Sequence, residues 1–432
     1  MSQPAEPASS GKQASLRDVR MRGFQDRTEV AEVLALLDAR LRPLAPEEVD
    51  LHQAAGRVLT TDVVAGVAVP TFDRAAMDGY ALRGHETFGA TTYNPLELIV
   101  VGLSLPGRPF DGLLEPGQAV RIMTGAPLPA GADAVLQAEE AEERTDGSIT
   151  HVVITDAVPP GRNVGRRGED IACGAVVLRS GRLLRPQDVG VLASIGAAPV
   201  GVIRRPTVAV LVTGDELLPC GARPEGYRIV DSNSVMLEAL IARDGGLTVT
   251  RLMVPDRRES VREALLNTSA DVVLVSGGSS VGQEDHAPRV LAEAGELRVH
   301  GVALRPASPT GLGFLRDRPV FLLPGNPVSC LCAYDLFAGP AIRRLGGRSM
   351  ELPYQSRSLR LGRKIASAVG RIDYVRVVLR DGLVKPLATS GASILSSTTR
   401  AHGFVLIERD SEGRGAGESV QVYFYDSQGT ST

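Results

Sequence analysis

Between residues 206 and 347, short apolar runs alternate with segments of helical apolar spacing. Five of the runs read as strands: TVAVLVT, LTVTRLMVP, DVVLVS, LRVHGVAL and PVFLLPG. A helical segment follows all of them except the fourth. Because a strand that is followed by a helix returns to the same sheet through a right-handed crossover, this alternation predicts parallel pairing. We therefore expect a doubly wound α/β domain in this block.

The flanking segments have other textures, and 432 residues exceed what one hydrophobic core ordinarily holds. Helical spacing occurs in residues 28–41, 47–56 and 186–194. Residues 62–165 are short apolar pieces broken by Gly, Pro and Asp, which is typical of a small β-rich domain. The segment after Gly347 also reads as all-β, and polar residues 1–19 are expected to be a disordered tail.

Composition excludes several classes of protein. The net charge of −3 argues against a nucleic-acid surface. Lysine occurs only at Lys12, Lys364 and Lys385, so residues 13–363 offer neither a Schiff-base lysine nor a Walker-type loop. The scattered histidines and the four cysteines fit neither a zinc enzyme nor a disulfide framework. Without an apolar run of membrane length or a signal peptide, we expect a soluble cytoplasmic protein with no membrane partner.

Chemistry is expected at the predicted strand ends, because ligands of open α/β sheets bind beyond the carboxyl ends of the strands. Every run is followed by Gly, Pro, a small hydroxyl residue or an acid. In chain order the segments are Thr213-Gly214-Asp215-Glu216, Pro255-Asp256, Ser276 to Gly282 with Glu284 and Asp285, Arg305 to Gly311, and Pro324 to Ser329. Their convergence predicts one ligand site at that rim.

The loop SGGSSVGQED, after the third strand, carries the main signal. Small residues at a strand end let backbone N–H groups close on an anion, although a glycine cluster is also compatible with a flexible turn. A carboxylate beside such a cradle is explained when a divalent metal bridges it to a phosphate, and Mg²⁺ needs few protein ligands for this. The stiff PGNPVS turn suits a preorganised wall of the same site.

Each charged residue on this rim also has an ordinary structural explanation. An acid pair such as Asp215 and Glu216 suits the cap of a turn. Asp256 and Asp285 each precede a predicted helix and suit its N-cap. Arg305 is either a surface arginine or an anion-binding group. Three such acids on one rim favour a shared metal over separate caps.

Two motifs outside this block have no role on residue grounds alone. FDRAAMDGYAL (72–82) contains a Met-Asp-Gly turn, which an ordinary hairpin explains locally. RIMTGAP (121–127) reads as a further structured turn.

Seven motifs, in this order along the chain, resemble the molybdopterin molybdenumtransferases, the family of MoeA and the gephyrin E domain. They are AMDGYAL (76–82), RIMTGAPLP (121–129), GRNV with GED (161–170), TGDEL (213–217), DSNS (231–234), SGGSSVGQED (276–285) and LPGNPVS (323–329). The resemblance, over about residues 20–425, implies a multidomain α/β plus β fold. Its domains would be a helical domain (20–64 and 171–202), an inserted β-rich domain (65–170), a MogA-like, pterin-binding α/β domain (203–347) and a C-terminal β-barrel (348–425).

The resemblance also implies a reaction in molybdenum-cofactor biosynthesis. A transferase of this family takes adenylylated molybdopterin and molybdate, cleaves the phosphoanhydride, releases AMP and inserts molybdenum into the dithiolene. The implied cofactor is Mg²⁺, with molybdate as a substrate. The implied partners are a second copy of the chain, which completes the active site, and a molybdopterin adenylyltransferase.

The family motifs assign site residues to this sequence. Four essential acids match Asp78, Glu216, Asp256 and Asp285. The resemblance implies that the first comes from the partner subunit and that the other three hold the divalent cation or position molybdate. The implied substrate-binding residues are Thr124, Thr213, Gly214, Asp215, Ser232, Asn233, Ser276, Gly277, Gly278, Ser279, Ser280, Gly282, Arg305, Ser308, Pro324, Gly325, Asn326, Pro327, Ser329, Arg371 and Ser390. The roles of the matching Glu169 and Asp170 stay open.

One departure lies after the fourth strand, where many members carry KPGKP and this chain has RPASP (305–309). Arg305 keeps one cation and Ser308 removes the other. Two other functions stay open: a molybdopterin adenylyltransferase, whose fold resembles the α/β block, and a non-catalytic pterin-binding scaffold. The flanking domains and the MDGY motif argue against the first, and the retained acids argue against the second.

Overall fold

A computed structural model describes residues 27–278, 285–388 and 391–426. These residues form two compact units, one from residues 27–47 and 203–426 and the other from residues 48–202. Across the described ranges, no helix has both the length and the apolar character that a membrane crossing requires. Each unit buries its own apolar clusters.

A six-stranded sheet organises the first unit. Its parallel strands lie side by side in the order Leu247–Val254, Thr207–Thr213, Val272–Ser276 and Arg318–Leu323. Antiparallel strands Gly311–Leu315 and Glu296–His300 complete one edge. The sheet is therefore mixed, which corrects the expectation of a parallel sheet throughout. The predicted fourth strand points the same way as the parallel strands, but Gly311–Leu315, a strand absent from the prediction, lies between it and Arg318–Leu323 and runs in the opposite direction.

Helices cover both faces of this sheet, so its strands are apolar on both sides. Alternate residues face two different clusters: Val208, Val210, Val272, Leu274 and Phe321 lie in one, and Ala209, Leu211, Val273, Val275 and Leu322 lie in the other. The helices are Asn233–Arg243, Arg258–Asn267, Ala287–Ala294, and a segment made of Pro327–Ala333, the π-helical turn Tyr334–Ala338, and Gly339–Leu345. A short pair of parallel strands, Leu217–Leu218 with Ile229–Val230, lies in the chain between the strand Thr207–Thr213 and the helix Asn233–Arg243.

The helix Val30–Arg40 belongs to the same unit. Its buried face of Val30, Val33 and Leu37 packs into the larger of the two clusters. The sequence analysis placed this stretch with residues 171–202 instead. Apolar spacing predicted the helix but not the core that covers its face.

A second sheet forms the C-terminal part of this unit. Its strands lie in the order Leu304–Arg305, Ile372–Arg380, Gly403–Ile407, Ser419–Phe424 and Gln355–Arg360, with Leu383–Ala388 also paired to Ile372–Arg380. A bridge between Leu361 and Val384 brings the two ends of the sheet together. The smaller elements are the strand pair Ile365–Ala366 and Gly413–Arg414, and the helix Ser396–Arg400.

The first strand of that sheet comes from the α/β segment rather than from the C-terminal residues. Leu304 pairs with Ile372 and Arg305 with Asp373. The backbone N–H of Ile372 also donates to the carbonyl of Ala303, at 2.9 Å. The two parts of the unit are therefore joined by main-chain hydrogen bonds.

The second unit contains another six-stranded sheet. Its order is Ala134–Gln137, Gly79–Leu82, Gln118–Ile122, Leu96–Ser104, Ile149–Ile154 and Ala141–Asp146. The remaining elements are the strands Val63–Val64 with Val176–Leu178 and Arg74–Ala75 with Val164–Gly165, the helix Pro186–Ser194, and the 3₁₀ turns Leu51–Gln53, Gly84–Thr87 and Ala138–Glu140.

The predicted helix over residues 47–56 was wrong. This stretch begins with the strand Pro46–Val49 and continues as the turn Leu51–Gln53, and Val200–Ile203 is also a strand. Much of the expected helical domain is thus short extended structure. Apolar residues at helical spacing did not distinguish a helix from a strand followed by a turn.

Candidate active site

A cavity of about 780 Å³ opens beyond the carboxyl ends of the parallel strands. Residues from the segments that follow several different strands share its wall. They are Val212, Thr213, Gly214, Glu216, Leu217, Ile229, Val230, Asp231, Ser232, Asn233, Asp256, Ser276, Gly277, Gly278, Asp285, Pro309, Pro324, Gly325, Asn326, Pro327 and Ser393. Strand-end segments that are distant in sequence therefore meet in one concave site.

Asn233 ties three of these segments together. Its Nδ2 donates to Ser276 Oγ at 2.9 Å and to the carbonyl of Gly325 at 2.7 Å. Asn233 is the first residue of its helix, and the preceding Asp231 accepts from the backbone N–H of Ser234 at 3.1 Å. The Asn233 Oδ1 is buried and accepts no hydrogen bond from the described residues. One amide thus fixes the cavity wall through its two donors.

Two glycines allow the loops to approach one another closely. Gly277 has φ +95°, and a Cβ there would lie 2.3 Å from the carbonyl oxygen of Thr213. Gly214 has φ +150°, and a Cβ there would lie 2.7 Å from a carboxylate oxygen of Glu216. At Gly277 both the backbone angle and the space exclude a side chain, and at Gly214 the backbone angle disfavours one.

Four acids line the cavity: Asp231 and the three predicted ones, Glu216, Asp256 and Asp285. Burial raises the pKa of Asp256, and the negative charges of Glu216 and Asp215 raise it further, whereas the Thr213 hydroxyl group opposes the shift. A carboxyl group crowded by other carboxyl groups is stabilised by a cation. The charge distribution of this wall therefore favours a bound cation.

The structure does not support the N-cap explanation for the two aspartates. The helix after Asp256 begins at Arg258 with Arg257 as its N-cap, and the helix after Asp285 begins at Ala287 with His286 as its N-cap. Neither acid is therefore an N-cap. Asp215 links two strand-end segments, because its Oδ1 accepts from the backbone N–H of Asp256 at 3.2 Å, and it does not line the cavity.

Oxygen ligands of this kind suit Mg²⁺. In the part of the chain that the structure describes, no group of three or more His, Cys, Asp or Glu residues is placed to hold a metal ion. The cavity carboxylates are oxygen donors of the kind that Mg²⁺ binds, and they do not form a complete ligand set by themselves. The lining residues that are described include no Lys and no Arg.

Asp78 and Thr124 lie in the second unit, on an exposed turn. The backbone N–H and the hydroxyl group of Thr124 both donate to Asp78 Oδ1, each at 2.6 Å. These bonds lower the pKa of Asp78. Glu169, whose role was open, accepts from the backbone N–H of Arg166 at 2.9 Å.

Three family models match the chain in series. The MoeA N-terminal region (domain I and II) matches residues 28–196, the probable molybdopterin binding domain matches residues 209–344, and the MoeA C-terminal region (domain IV) matches residues 358–425. Molybdopterin molybdenumtransferase 2 of Mycobacterium tuberculosis is 36% identical over 396 residues, which are 89% of this chain and 96% of that protein. The chain belongs to the molybdopterin molybdenumtransferase family.

Other family members agree. The molybdopterin molybdenumtransferase of Haemophilus influenzae is 33% identical over 387 residues, which are 88% of this chain and 94% of that protein. The crystal structure of a molybdopterin biosynthesis MoeA protein from Pyrococcus horikosii superimposes with a TM-score of 0.77 at 34% identity, over 93% of this chain and 100% of that one. The family predicted from the seven motifs is therefore confirmed.

The RPASP segment, where this chain departs from many molybdenumtransferases, is engaged elsewhere. Arg305 pairs with the buried carboxylate of Asp373, and Arg371 Nε lies 3.4 Å from the same carboxylate. Ser308 Oγ donates to the carbonyl of Val302 at 3.2 Å. Neither arginine lines the described cavity, although Pro309 does.

Of the remaining predicted site residues, one lies away from the cavity and four cannot be placed. Ser329 is buried in the first turn of its helix and does not line the cavity. Ser279, Ser280, Gly282 and Ser390 lie outside the described residues.

Several lining residues were missed from the sequence. Asp231 stands in the matched DSNS motif, so the motif itself offered a signal for it. Ser393 comes from the C-terminal part of the chain, where the carbonyl of its neighbour Ala392 accepts from the backbone N–H of Val328 at 2.9 Å. No local pattern predicts that contact.

Proposed function

We propose that this molybdenumtransferase-family protein inserts molybdenum from molybdate into adenylylated molybdopterin, with cleavage of the phosphoanhydride and release of AMP. One observation carries the proposal: the cavity combines close-packed glycine loops with four carboxylates, and its described lining has no Lys or Arg. Such a wall accepts an anionic phosphate through backbone N–H groups and a divalent cation. The names of the relatives support the same reaction.

We assign Mg²⁺ to the cavity carboxylates. Glu216, Asp256 and Asp285 would hold it together with substrate oxygens and water. When bound, the ion neutralises charge on the phosphate and molybdate oxygens. The proximity of Glu216 to Asp256, seen in the raised pKa of Asp256, supports this assignment.

The protein's own groups bind and orient the substrate. The backbone of Gly277 and Gly278 cradles the phosphate, and Asn233 holds the Ser276 and Gly325 segments in place around it. Leu217, Ile229 and Val230 give the pterin ring an apolar wall. We propose that an adenylyltransferase supplies this substrate, because the pterin must arrive already adenylylated.

We propose that a second copy of the chain contributes Asp78 to this cavity. The support lies in the turn itself, where the polar site residues Asp78 and Thr124 are exposed beside Met77, which is 46% exposed. The AMDGYAL motif (76–82) carries the family resemblance, and its exposure leaves Asp78 accessible to a second copy of the chain. The active site would then be shared between two subunits.

The test is direct. The purified chain is incubated with adenylylated molybdopterin, Mg²⁺ and molybdate, and AMP is quantified by chromatography while active cofactor is quantified by reconstitution of an apoenzyme. We expect AMP release that requires molybdate and Mg²⁺, loss of it in Glu216→Gln, and no loss in the matched control Glu225→Gln, an exposed acid away from the cavity lining.

Two other outcomes would overturn the proposal. Adenylylation of free molybdopterin from ATP would assign the preceding step to this chain. Tight binding of adenylylated molybdopterin without AMP release would make it a scaffold. Mixing the inactive variants Asp78→Asn and Asp256→Asn tests the shared site, since mixed dimers regain activity only if each subunit completes the other's cavity.

A further inference from the structure

The turn that carries Asp78 is held rigidly by its own backbone. The carbonyl of Asp78 accepts from the backbone N–H of Ala138 at 2.9 Å. The next residue, Gly79, has φ +155°, and a Cβ there would lie 1.8 Å from the carbonyl oxygen of Leu136. The turn therefore cannot shift its register along the neighbouring strand.

Thr124 approaches this turn from a separate segment that is itself anchored. The backbone N–H of Met123 donates to Ser104 at 3.2 Å, and that of Gly125 donates to Ala75 at 2.8 Å. Between these anchors, both donors of Thr124 point at one oxygen of Asp78. An exposed side chain usually samples several rotamers, and two short bonds to Oδ1 restrict this one to a single orientation. The other oxygen, Oδ2, remains for a ligand.

We infer that Thr124 is a positioning residue for Asp78 and not a substrate-binding residue. It holds the carboxylate in one orientation before the partner's cavity is met, so that Oδ2 is presented to the substrate without a loss of rotamer freedom on binding. The inference rests on the proposed function for the destination of Asp78. The Asp78–Thr124 pair itself is independent of that function, because both residues lie in one unit.

The kinetic test compares Thr124→Val with Thr124→Ser. The valine variant keeps the backbone donor and loses the hydroxyl donor, so we expect kcat for AMP release to fall about 10-fold with little change in KM, as for one lost hydrogen bond to a charged group. The serine variant keeps both donors and should retain kcat. In an Asp78→Ala background, Thr124→Val should add no further loss. Additive losses, or a rise in KM alone, would overturn the inference.

A second readout does not depend on turnover. Asp78 is followed by carbon NMR of the full-length chain with labelled aspartate carboxyl groups, and its signal is assigned with Asp78→Asn. Because the Thr124 hydroxyl group is the largest cause of the lowered pKa, we expect Thr124→Val to raise the pKa of Asp78 and Thr124→Ser to leave it lowered. Thr145→Val, at an exposed hydroxyl group 3.4 Å from that of Thr150, is the control and should change nothing.

Together, AMP release and the pKa of Asp78 distinguish a failure of the proposed function from a failure of the positioning role of Thr124. A chain that lacks AMP release but shows the pKa change would refute the proposed function and leave the positioning role in place. A chain that releases AMP but shows the same Asp78 pKa in wild type and Thr124→Val would refute the positioning role alone.

Discussion

The hydroxyl group of Tyr354 lies 3.0 Å from each carboxylate oxygen of Asp335. Tyr354 immediately precedes the C-terminal strands, and Asp335 sits in the π-helical turn of the helical segment whose first residue, Pro327, lines the cavity. Arg243 contacts both residues, with its Nη2 3.0 Å from Asp335 Oδ1. The C-terminal strands are thereby linked to a wall of the candidate active site through a buried polar network.

Loss of that hydroxyl group should destabilise the protein. Tyr354→Phe leaves the fully buried Asp335 with fewer donors, and we expect it to lower the free energy of unfolding by about 1–3 kcal/mol. Urea unfolding of the full chain measures the change. Tyr227→Phe is the control, because Tyr227 is fully exposed and its substitution should have no effect. Equal unfolding curves for the two variants would show that the network contributes no stability.

The ionised Asp256 carboxylate should lower the stability of the folded protein at neutral pH while it is required for AMP release. Its pKa is raised in the folded state, so its contribution to stability is complete below its ordinary pKa and is lost as the pH rises through the folded value. At pH 7 the ionised carboxylate is therefore unfavourable in the cavity without a cation. We expect Asp256→Asn to melt at a higher temperature than the wild type at pH 7, and to release AMP at least about 100-fold more slowly.

Mg²⁺ should erase that difference in melting temperature, since it stabilises only the wild-type carboxylate. Differential scanning calorimetry at pH 7 and pH 4, with and without Mg²⁺, measures both dependences. A variant that melts below the wild type at neutral pH would contradict the expectation.

Asp188 should show the opposite pH dependence. The guanidinium groups of Arg185 and Arg182 hold the pKa of this buried carboxyl group well below its usual range. Its contribution to stability is present above its ordinary pKa and is lost as the pH falls through the folded value, so it weakens only below about pH 4. Asp188→Asn should cost about 1 kcal/mol at pH 7, because the partner arginines are partly exposed and stay hydrated, and less at pH 3. Urea titrations at both values test this, with the exposed Asp146→Asn as the control.

Gly277→Ala should remove activity. Gly89 offers a matched comparison, because its φ of +90° is close to the +95° of Gly277, yet a Cβ at Gly89 meets nothing within 4 Å. Gly89→Ala should cost only the backbone strain, about 1–2 kcal/mol. Gly277→Ala adds the collision with Thr213 and should displace the phosphate cradle, with loss of AMP release and of ligand binding by calorimetry. Similar behaviour of the two variants would show that the loop relaxes around a side chain.

The sequence predicted local structure well where residue chemistry decides it locally. The DSNS motif marked the helix start at Asn233 correctly, and the apolar run 271–276 marked a buried strand. Strand order was not encoded in this way. The direction of the run 297–304 agrees with the prediction, but the strand that separates it from the parallel strands, Gly311–Leu315, was hidden by its glycines. Gly313 is required there because a Cβ would lie 2.3 Å from the carbonyl of Glu296, a contact that exists only in the folded sheet.

For the candidate site, too, the features that depend on neighbouring residues in the sequence were predicted, and the long-range contacts were not. Acids and glycines at strand ends could be predicted because each follows its strand directly. Ser393 could not, because it lies more than 60 residues from any other lining residue in the sequence. Its place depends on how the C-terminal segment packs on the helix that begins at Pro327.

The strand Leu304–Arg305 gives the C-terminal sheet a backbone partner from the α/β segment, and this has an evolutionary consequence. Every residue has a backbone carbonyl group, and every residue except proline has a backbone N–H group. Pairing of this kind therefore does not depend on side-chain identity. The main-chain contact between residues 304–305 and 372–373 therefore persists when a side chain changes, whereas the buried Leu304 and the pairing of Arg305 with the buried Asp373 add side-chain constraints of their own. The placement of the last domain is thus set by chain topology and reinforced by these side chains.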